Sequence, residues 1–201
     1  MVSVAAFVLQ VQAQSGSTQS EFAIQGISTQ LVNSPNINSD YQRRASGRPG
    51  QWLEIEVTFA WNPRDRAQTV LEAYDVRYFV LLRNSSASPD KKDTLLAGTA
   101  SHVLLFPGRD KKSVMFVSPQ QLLKLFGGRI PSSMQQVVAG VGIEIAVSGQ
   151  VVAEHTNRGQ GAWWRDAAAT AGFNRDDGIL LDKSRTPFAH LVYDYHEPLK
   201  Q

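Results

Sequence analysis

Residues 52–61 read WLEIEVTFAW, and this stretch decides the fold. Every second position carries a large apolar side chain, namely Leu53, Ile55, Val57, Phe59 and Trp61. The positions between them include Glu54, Glu56 and Thr58. Because the side chains of a strand alternate between its two faces, the pattern predicts a strand with one face in a core and the other in water.

Similar segments recur along the chain, and together they predict an antiparallel β-sandwich. The predicted strands are residues 21–32, 52–61, 74–83, 100–106, 112–117, 137–147, 151–155 and 188–195. Turn residues at 107–110 (PGRD) and 148–150 (SGQ) predict two β-hairpins. Strands at this spacing fit two packed sheets, with a barrel as the main alternative.

One short helix is predicted over residues 118–127. Ser118 is a good N-cap, Pro119 suits the first helical position, and Gln121 completes a capping box. Gly127 and Gly128 then end the helix. Since the helix lies between two predicted strands, we expect it to cross over one end of the sandwich.

Composition excludes some classes of function. The 201 residues are 42% hydrophobic and 19% charged, which is typical of a folded domain. The formal net charge is only +2, and the basic residues are dispersed, which does not favour nucleic-acid binding. The sequence has no cysteine, and this excludes disulfides and thiolate chemistry.

The first 20 residues are predicted to be a truncated export signal and a flexible leader. Residues 2–9 are mostly apolar but too few to span a bilayer, and Val11-Gln12-Ala13 has the small-residue pattern of a cleavage site. No basic residue precedes the apolar stretch, so a frayed tail or a strand is the alternative. Residues 21–201 are predicted to form one domain with a C-terminal extension.

Catalytic and metal chemistry find little support in the residue pattern. His190, Asp194 and His196 would share one face of the predicted last strand, as zinc ligands could, but a polar strand face explains them equally well. No Gly-x-Ser-x-Gly elbow is present, and Gly140 and Gly142 lie within a predicted strand. We therefore predict no enzyme, no catalytic residue and no cofactor, with a metal-dependent hydrolase as a weak alternative.

An adjacent aromatic pair, Trp163 and Trp164, follows a glycine-rich stretch. It could stack on sugar rings, or one ring could enter the core while the other covers a sheet edge. The neighbouring arginines favour a protein contact equally well. The predicted interaction surface comprises Trp163, Trp164, Arg158, Arg165, His190, Tyr193 and Tyr195. Residues 188–195 are predicted to offer an open strand edge to a partner.

The strands at 52–59 and 78–82, the helix at 118–123 and the Trp163-Trp164 pair resemble the immunoglobulin-like exported proteins of the Akkermansia type IV pilus-like gene cluster. The resemblance implies an immunoglobulin-like antiparallel β-sandwich and a location in the periplasm, at the outer membrane or on the cell surface. It also implies a non-enzymatic role in pilus-like or envelope assembly or adhesion, through contacts with pilus-like or envelope proteins. A module that binds mucin glycans of the host through the aromatic loop is the alternative.

Overall fold

The computed structural model describes residues 20–35, 50–83, 92–191 and 195–200, and these residues form nine strands and three short helices. The strands are β1 (Phe22–Asn33), β2 (Gln51–Trp61), β3 (Leu71–Leu82), β4 (Thr94–Leu105), β5 (Gly108–Val117), β6 (Val138–Val147), β7 (Gln150–Thr156), β8 (Asn174–Asp176) and β9 (Leu181–Asp182). The helices are α1 (Pro119–Leu125), α2 (Met134–Val137) and α3 (Ala167–Thr170), and single 3₁₀ turns occur at Trp163–Arg165 and Lys183–Arg185.

The strands form two sheets, and this confirms the predicted sandwich. The first sheet has the order β1-β2-β5-β9 and the second has the order β7-β6-β3-β4-β8. The pairs are antiparallel except for β4 and β8, which run parallel. Residues of both inner faces share one large apolar core.

Strand β2 lies between β1 and β5, and its apolar face is buried as predicted. All five of its alternate apolar side chains are at most 1% exposed, namely Leu53, Ile55, Val57, Phe59 and Trp61. Full burial of one such side chain contributes about 1.5–3 kcal/mol, so the alternation fixes the register of this strand strongly. The predicted first strand is also confirmed, with a register shift at Gly26.

Helix α1 and its Ser118 N-cap are confirmed, but the predicted capping box is not completed, because the Gln121 side-chain oxygen has no hydrogen-bond partner among the described residues. The Gln121 backbone N–H donates to the Ser118 Oγ at 3.4 Å, and Pro119 begins the helix. The chain leaves the helix through Gly127, whose φ of 64° is left-handed and suits glycine. The helix connects β5 of the first sheet to β6 of the second, as expected of a crossover.

Only one of the two predicted hairpins exists. Strands β6 and β7 pair as predicted. Strands β4 and β5 do not form a hairpin, because each pairs within a different sheet. Left-handed backbone at Leu104 and Asp110, with φ of 56° and 58°, redirects the chain at this turn. The turn residues at 107–110 therefore mark a crossing between sheets.

The predicted last strand is wrong. Residues 188–191 form turns, in which the Leu191 N–H bonds to the Phe188 carbonyl at 3.0 Å. The prediction that 188–195 offers an open strand edge fails with it, and Tyr193 and Asp194 lie outside the described residues. The chain turns just before the predicted strand would begin: the Thr186 hydroxyl donates to the Lys183 carbonyl at 2.8 Å and accepts from the Phe188 N–H at 3.2 Å.

The C-terminal segment, residues 195–200, instead bridges the two sheets. Its backbone bonds to Ser101 and Val103 of β4 and to Lys112 of β5, at 2.8–3.1 Å. A single β-bridge also joins Leu199 to His102. The segment therefore closes the gap between β4 and β5 and brings its side chains to the outer face of the first sheet.

Within the described ranges, no helix has the length and apolar character needed to cross a membrane. The predicted export signal at residues 1–20 falls almost wholly outside these ranges.

Candidate functional site

Trp164, predicted as part of an interaction surface, is a core side chain. It is only 5% exposed, and its ring stacks on Phe79 with centroids 5.2 Å apart. The second sheet makes room for it at Gly142, where a Cβ would lie 2.1 Å from the indole. Trp164 therefore does not belong to an exposed interaction surface, and the alternative prediction, in which one ring of the pair enters the core, is confirmed. The predicted close approach of another element to Gly142 is confirmed.

A buried carboxylate ties Trp164 and Arg165 to the sheet. The Trp164 indole N–H and the Arg165 Nε–H both donate to the Glu144 Oε1, at 2.6 Å and 2.7 Å. Arg77 lies 3.7 Å from the second oxygen, and Arg165 also pairs with Glu154 at 3.0 Å. The hydrogen bond that Arg165 donates to the Glu144 carboxylate raises the pKa of Arg165. Since a carboxylate that is 3% exposed needs such partners, these groups stabilise the fold.

Trp163 is half-buried and already has partners on its edge and one face. Its indole N–H donates to the Thr156 hydroxyl at 2.9 Å, and the Arg158 guanidinium lies 5.4 Å from its ring centroid. Gly140 leaves the space that the Arg158 side chain occupies. A sugar-stacking platform needs free aromatic faces, so this arrangement does not favour the glycan alternative.

The remaining predicted surface residues lie near the C-terminus. Tyr195 is 47% exposed and its hydroxyl contacts the Lys112 amine, while His190 is exposed beside a cavity. The histidine and carboxylate groups of the described ranges form no cluster of three that could hold a metal ion. Asp194, the third residue of the weak metal hypothesis, lies outside these ranges.

Two large apolar side chains project from the turn between β4 and β5. Leu104 is 53% exposed and Phe106 is 57% exposed. Leu104 also holds a left-handed φ of 56°, which costs an ordinary residue roughly 1–2 kcal/mol. An exposed leucine in a strained conformation suggests that exposure at this turn serves a contact. We call Leu104 and Phe106 the apolar turn.

The outer face of the first sheet carries a polar cluster that the sequence pattern did not reveal. The Glu56 carboxylate contacts the Lys112 Nζ and the His196 Nε2, each at 3.2 Å. The opposite ring nitrogen, Nδ1 of His196, lies 3.4 Å from the Lys183 Nζ. Burial and the nearby Lys183 charge lower the pKa of His196 to about 4. At neutral pH this imidazole is therefore uncharged, with its Nε2–H donated to Glu56 and its Nδ1 accepting from Lys183.

A second histidine holds the C-terminal segment to the sandwich. His102 is 2% exposed, and its Nδ1 lies 3.1 Å and 3.3 Å from the carbonyl oxygens of Glu197 and Pro198. Carbonyls only accept, so Nδ1 carries the proton and Nε2 accepts from the Ser113 hydroxyl at 2.7 Å. Burial lowers the pKa of His102 to about 4.

A cavity of about 610 Å³ lies between the outer face and the C-terminal segment. Its wall includes Lys183, Ser184, His190, His196 and Lys200. The sequence predicts His190 on an interaction surface at a sheet edge rather than at a cavity, and it indicates neither Lys183 nor Lys200, because residues 188–195 are predicted to form a strand. The polar positions of β2 that alternate with its apolar face, Glu54, Glu56 and Thr58, were the one sequence signal for this outer face. That pattern fits a face in water and a face covered by other polar side chains equally well.

The fold and the site define a two-sheet β-sandwich with a C-terminal segment packed on its first sheet. A protein-family model matches residues 13–201, so the chain belongs to the family which that model represents. A search of curated proteins finds no match. Among solved structures, the chain is similar to a crystal structure of a protein from Akkermansia muciniphila, with a TM-score of 0.75 and 19% identity. The match covers 91% of this chain and 94% of that one, and at this identity it shows the fold alone.

Proposed function

We propose that the protein is an exported, non-enzymatic immunoglobulin-like protein that supports pilus-like or cell-envelope assembly or adhesion through protein contacts. The observation that carries the proposal is the apolar turn, formed by Leu104 and Phe106. Both side chains are more than half exposed, although most large apolar residues of the described chain are buried.

The turn has the character of a protein-contact surface. Burial of one leucine or phenylalanine side chain in a partner contributes about 1.5–3 kcal/mol. Two neighbouring side chains of this kind are enough to form a binding hot spot. The exposed Arg109 follows on β5 and adds a charge beside the turn, and charged residues are common at the rim of such contacts. The left-handed φ of Leu104 costs free energy of folding, and backbone strain of this kind is often found at functional sites.

Structural similarity supports the β-sandwich part of the proposal. The solved Akkermansia muciniphila protein shares the sandwich over nearly its whole length. Export and the envelope location rest on the apolar stretch and small-residue pattern of residues 2–13.

Cross-linking in the native cell, followed by mass spectrometry of proteins captured with the tagged full chain, tests the proposal. We expect the wild type to recover pilus-like or envelope components. The variant Leu104→Asn/Phe106→Ser should lose most of that recovery. Asparagine tolerates left-handed backbone, so this variant removes the apolar surface while relieving the strain at residue 104.

The matched control is Leu123→Asn, which changes a leucine of α1 that is 41% exposed. It should recover the same components as the wild type. The proposal fails if the wild type recovers no envelope component, or if the turn variant recovers them as well as the control does.

A further inference from the structure

The two described sheets end in four edge strands, and three of these are protected against pairing with another chain. Strands β8 and β9 are only three and two residues long. Strand β7 carries Glu154 and a register shift on β6, and the Ser20 hydroxyl donates to its Val152 carbonyl at 3.0 Å. Short strands, charged side chains, bulges and covered backbone groups are the usual ways in which proteins block a sheet edge.

Strand β1, the remaining edge, has few of these protections. Its 12 residues, FAIQGISTQLVN, include no proline and no charged side chain. Its one irregularity is the register shift beside Gly26, so residues 27–33 pair regularly with β2. This regular stretch is about 23 Å long, which is enough for a second strand to pair along it.

The register of β1 on β2 shows which backbone groups face the open edge. The Ser34 N–H donates to the Gly50 carbonyl at 2.8 Å, so these two residues form a hydrogen-bonded pair of the antiparallel ladder. Since hydrogen-bonded pairs alternate along such a ladder, the N–H and C=O groups of the odd-numbered residues from 27 to 33 point away from β2. Within the described ranges, no backbone group outside β2 bonds to this stretch.

The side chains of the same stretch are apolar towards the core and uncharged towards the outside. Ile27 and Leu31 pack against the core but are only partly buried, as expected where a sheet ends. On the outer face Ser28 and Gln30 are exposed, and the Gln30 amide donates to the Glu54 carboxylate at 2.6 Å. The edge of β1 therefore presents no charged side chain of its own to an incoming strand.

We propose that β1 pairs with β1 of a second copy of this chain, antiparallel across a two-fold axis. An uncharged strand suits a second copy, because no like charges meet when two identical strands face each other. A two-fold axis at Gln30 places residue 27 opposite 33 and residue 29 opposite 31, so that all the outward N–H and C=O groups of residues 27–33 find partners. The first sheets of the two copies then form one continuous sheet, with both inner faces on the same side.

Sedimentation equilibrium of the full chain at pH 7, at concentrations from about 1 to 500 µM, tests the proposal, since pairing along one short edge is expected to be weak. We expect a reversible equilibrium between monomer and dimer. Backbone hydrogen exchange at both ends of this range gives the location of the contact. The N–H groups of Thr29, Leu31 and Asn33 should exchange about tenfold more slowly in the dimer, whereas those of β7 should not change.

Two variants of β1 should weaken the dimer. Gln30→Glu places two carboxylates opposite each other at the axis, and we expect dimerisation to weaken by about tenfold or more. Thr29→Pro removes an N–H that points away from β2, so it should weaken the dimer similarly while it spares the pairing with β2. If Thr29→Pro does not fold, Gln30→Glu carries the test, because it changes an exposed side chain.

Two control variants should dimerise as the wild type does. Gln150→Glu makes the same change of charge at an exposed position of β7. The variant Leu104→Asn/Phe106→Ser removes the apolar turn. The proposed dimer uses no residue of that turn and does not depend on the proposed function, so each proposal can fail without the other.

Four results would overturn the pairing of β1. The first is a monomer at every concentration, after which a strand of a different protein is the occupant left to test. The second is an assembly larger than a dimer, because a two-fold axis closes the assembly at two copies. The third is unchanged dimerisation of Gln30→Glu. The fourth is loss of the dimer in either control variant, which would place the contact at β7 or at the apolar turn.

Discussion

Replacement of Gly142 by alanine should destabilise the domain because of one side chain, Trp164. A Cβ at residue 142 would lie 2.1 Å from one ring atom of Trp164 and 2.3 Å from the next, far inside contact distance. The ring cannot easily move, because it stacks on Phe79 and donates to Glu144. Overpacking of a fixed core costs about 1–3 kcal/mol and sometimes more, so we expect a loss of about 3 kcal/mol.

The same substitution should have the opposite effect once the ring is removed. Trp164→Ala alone should cost about 3–5 kcal/mol, since it leaves a cavity and takes one donor from Glu144. In that background Gly142→Ala meets no ring, and alanine is better than glycine in a strand by about 0.5–1 kcal/mol. The two substitutions should therefore couple by about 3 kcal/mol or more.

Urea unfolding followed by far-ultraviolet circular dichroism measures all four members of this cycle without relying on tryptophan emission. Trp52→Ala is the matched control, because its ring lies in a separate cluster with Val114 and Phe116, and it should leave the cost of Gly142→Ala unchanged. If Gly142→Ala costs the same free energy with and without Trp164, the assigned position of Trp164 is wrong.

Three further results are expected. The free energy of unfolding should fall as the pH drops from 6.5 to 4, because histidine in the unfolded chain takes up a proton near pH 6.5 whereas folded His102 does so only near pH 4. This single group accounts for about 3 kcal/mol. A urea midpoint that stays constant over this pH range would contradict the burial of a neutral His102. Ser118→Ala should cost about 1 kcal/mol by thermal unfolding through loss of the α1 cap, whereas the exposed Ser132→Ala should cost almost nothing. Glu144→Ala should cost about 1–3 kcal/mol, because it leaves the buried Trp164 indole N–H without its acceptor while the partly exposed Arg77 and Arg165 turn to water, and a near-neutral result in urea unfolding would contradict the network.

Local patterns predicted the sandwich well because they record which face of a strand is buried. The alternation in 52–61 gave both the strand and its buried face, and the caps around 118–127 gave the helix. The glycines at 140 and 142 correctly indicated close approach by another element, although the sequence did not say that Arg158 and Trp164 were those elements.

The same local patterns could not predict which distant segments of the chain contact one another. The turn at 107–110 reads equally well as a hairpin or as a crossing between sheets, and only the partners of β4 and β5 distinguish the two. Glu56 follows the pattern of a water-facing position in β2, but a residue 140 positions away, His196, covers it. The polar cluster depends on such contacts between distant segments, and no spacing within one segment reports them.

The polar cluster and the cavity depend most on the packing of the C-terminal segment against the sandwich, since this contact orients His196 and Lys183 and encloses the cavity. A long-range ¹H–¹⁵N correlation spectrum of the histidine rings tests it directly. At pH 7 and still at pH 5.5, His102 should be a neutral ring protonated on Nδ1, and His196 a neutral ring protonated on Nε2. A ring of either histidine that is protonated on both nitrogens at pH 5.5, or that carries its proton on the opposite nitrogen, would contradict the packing of this segment and the site built on it.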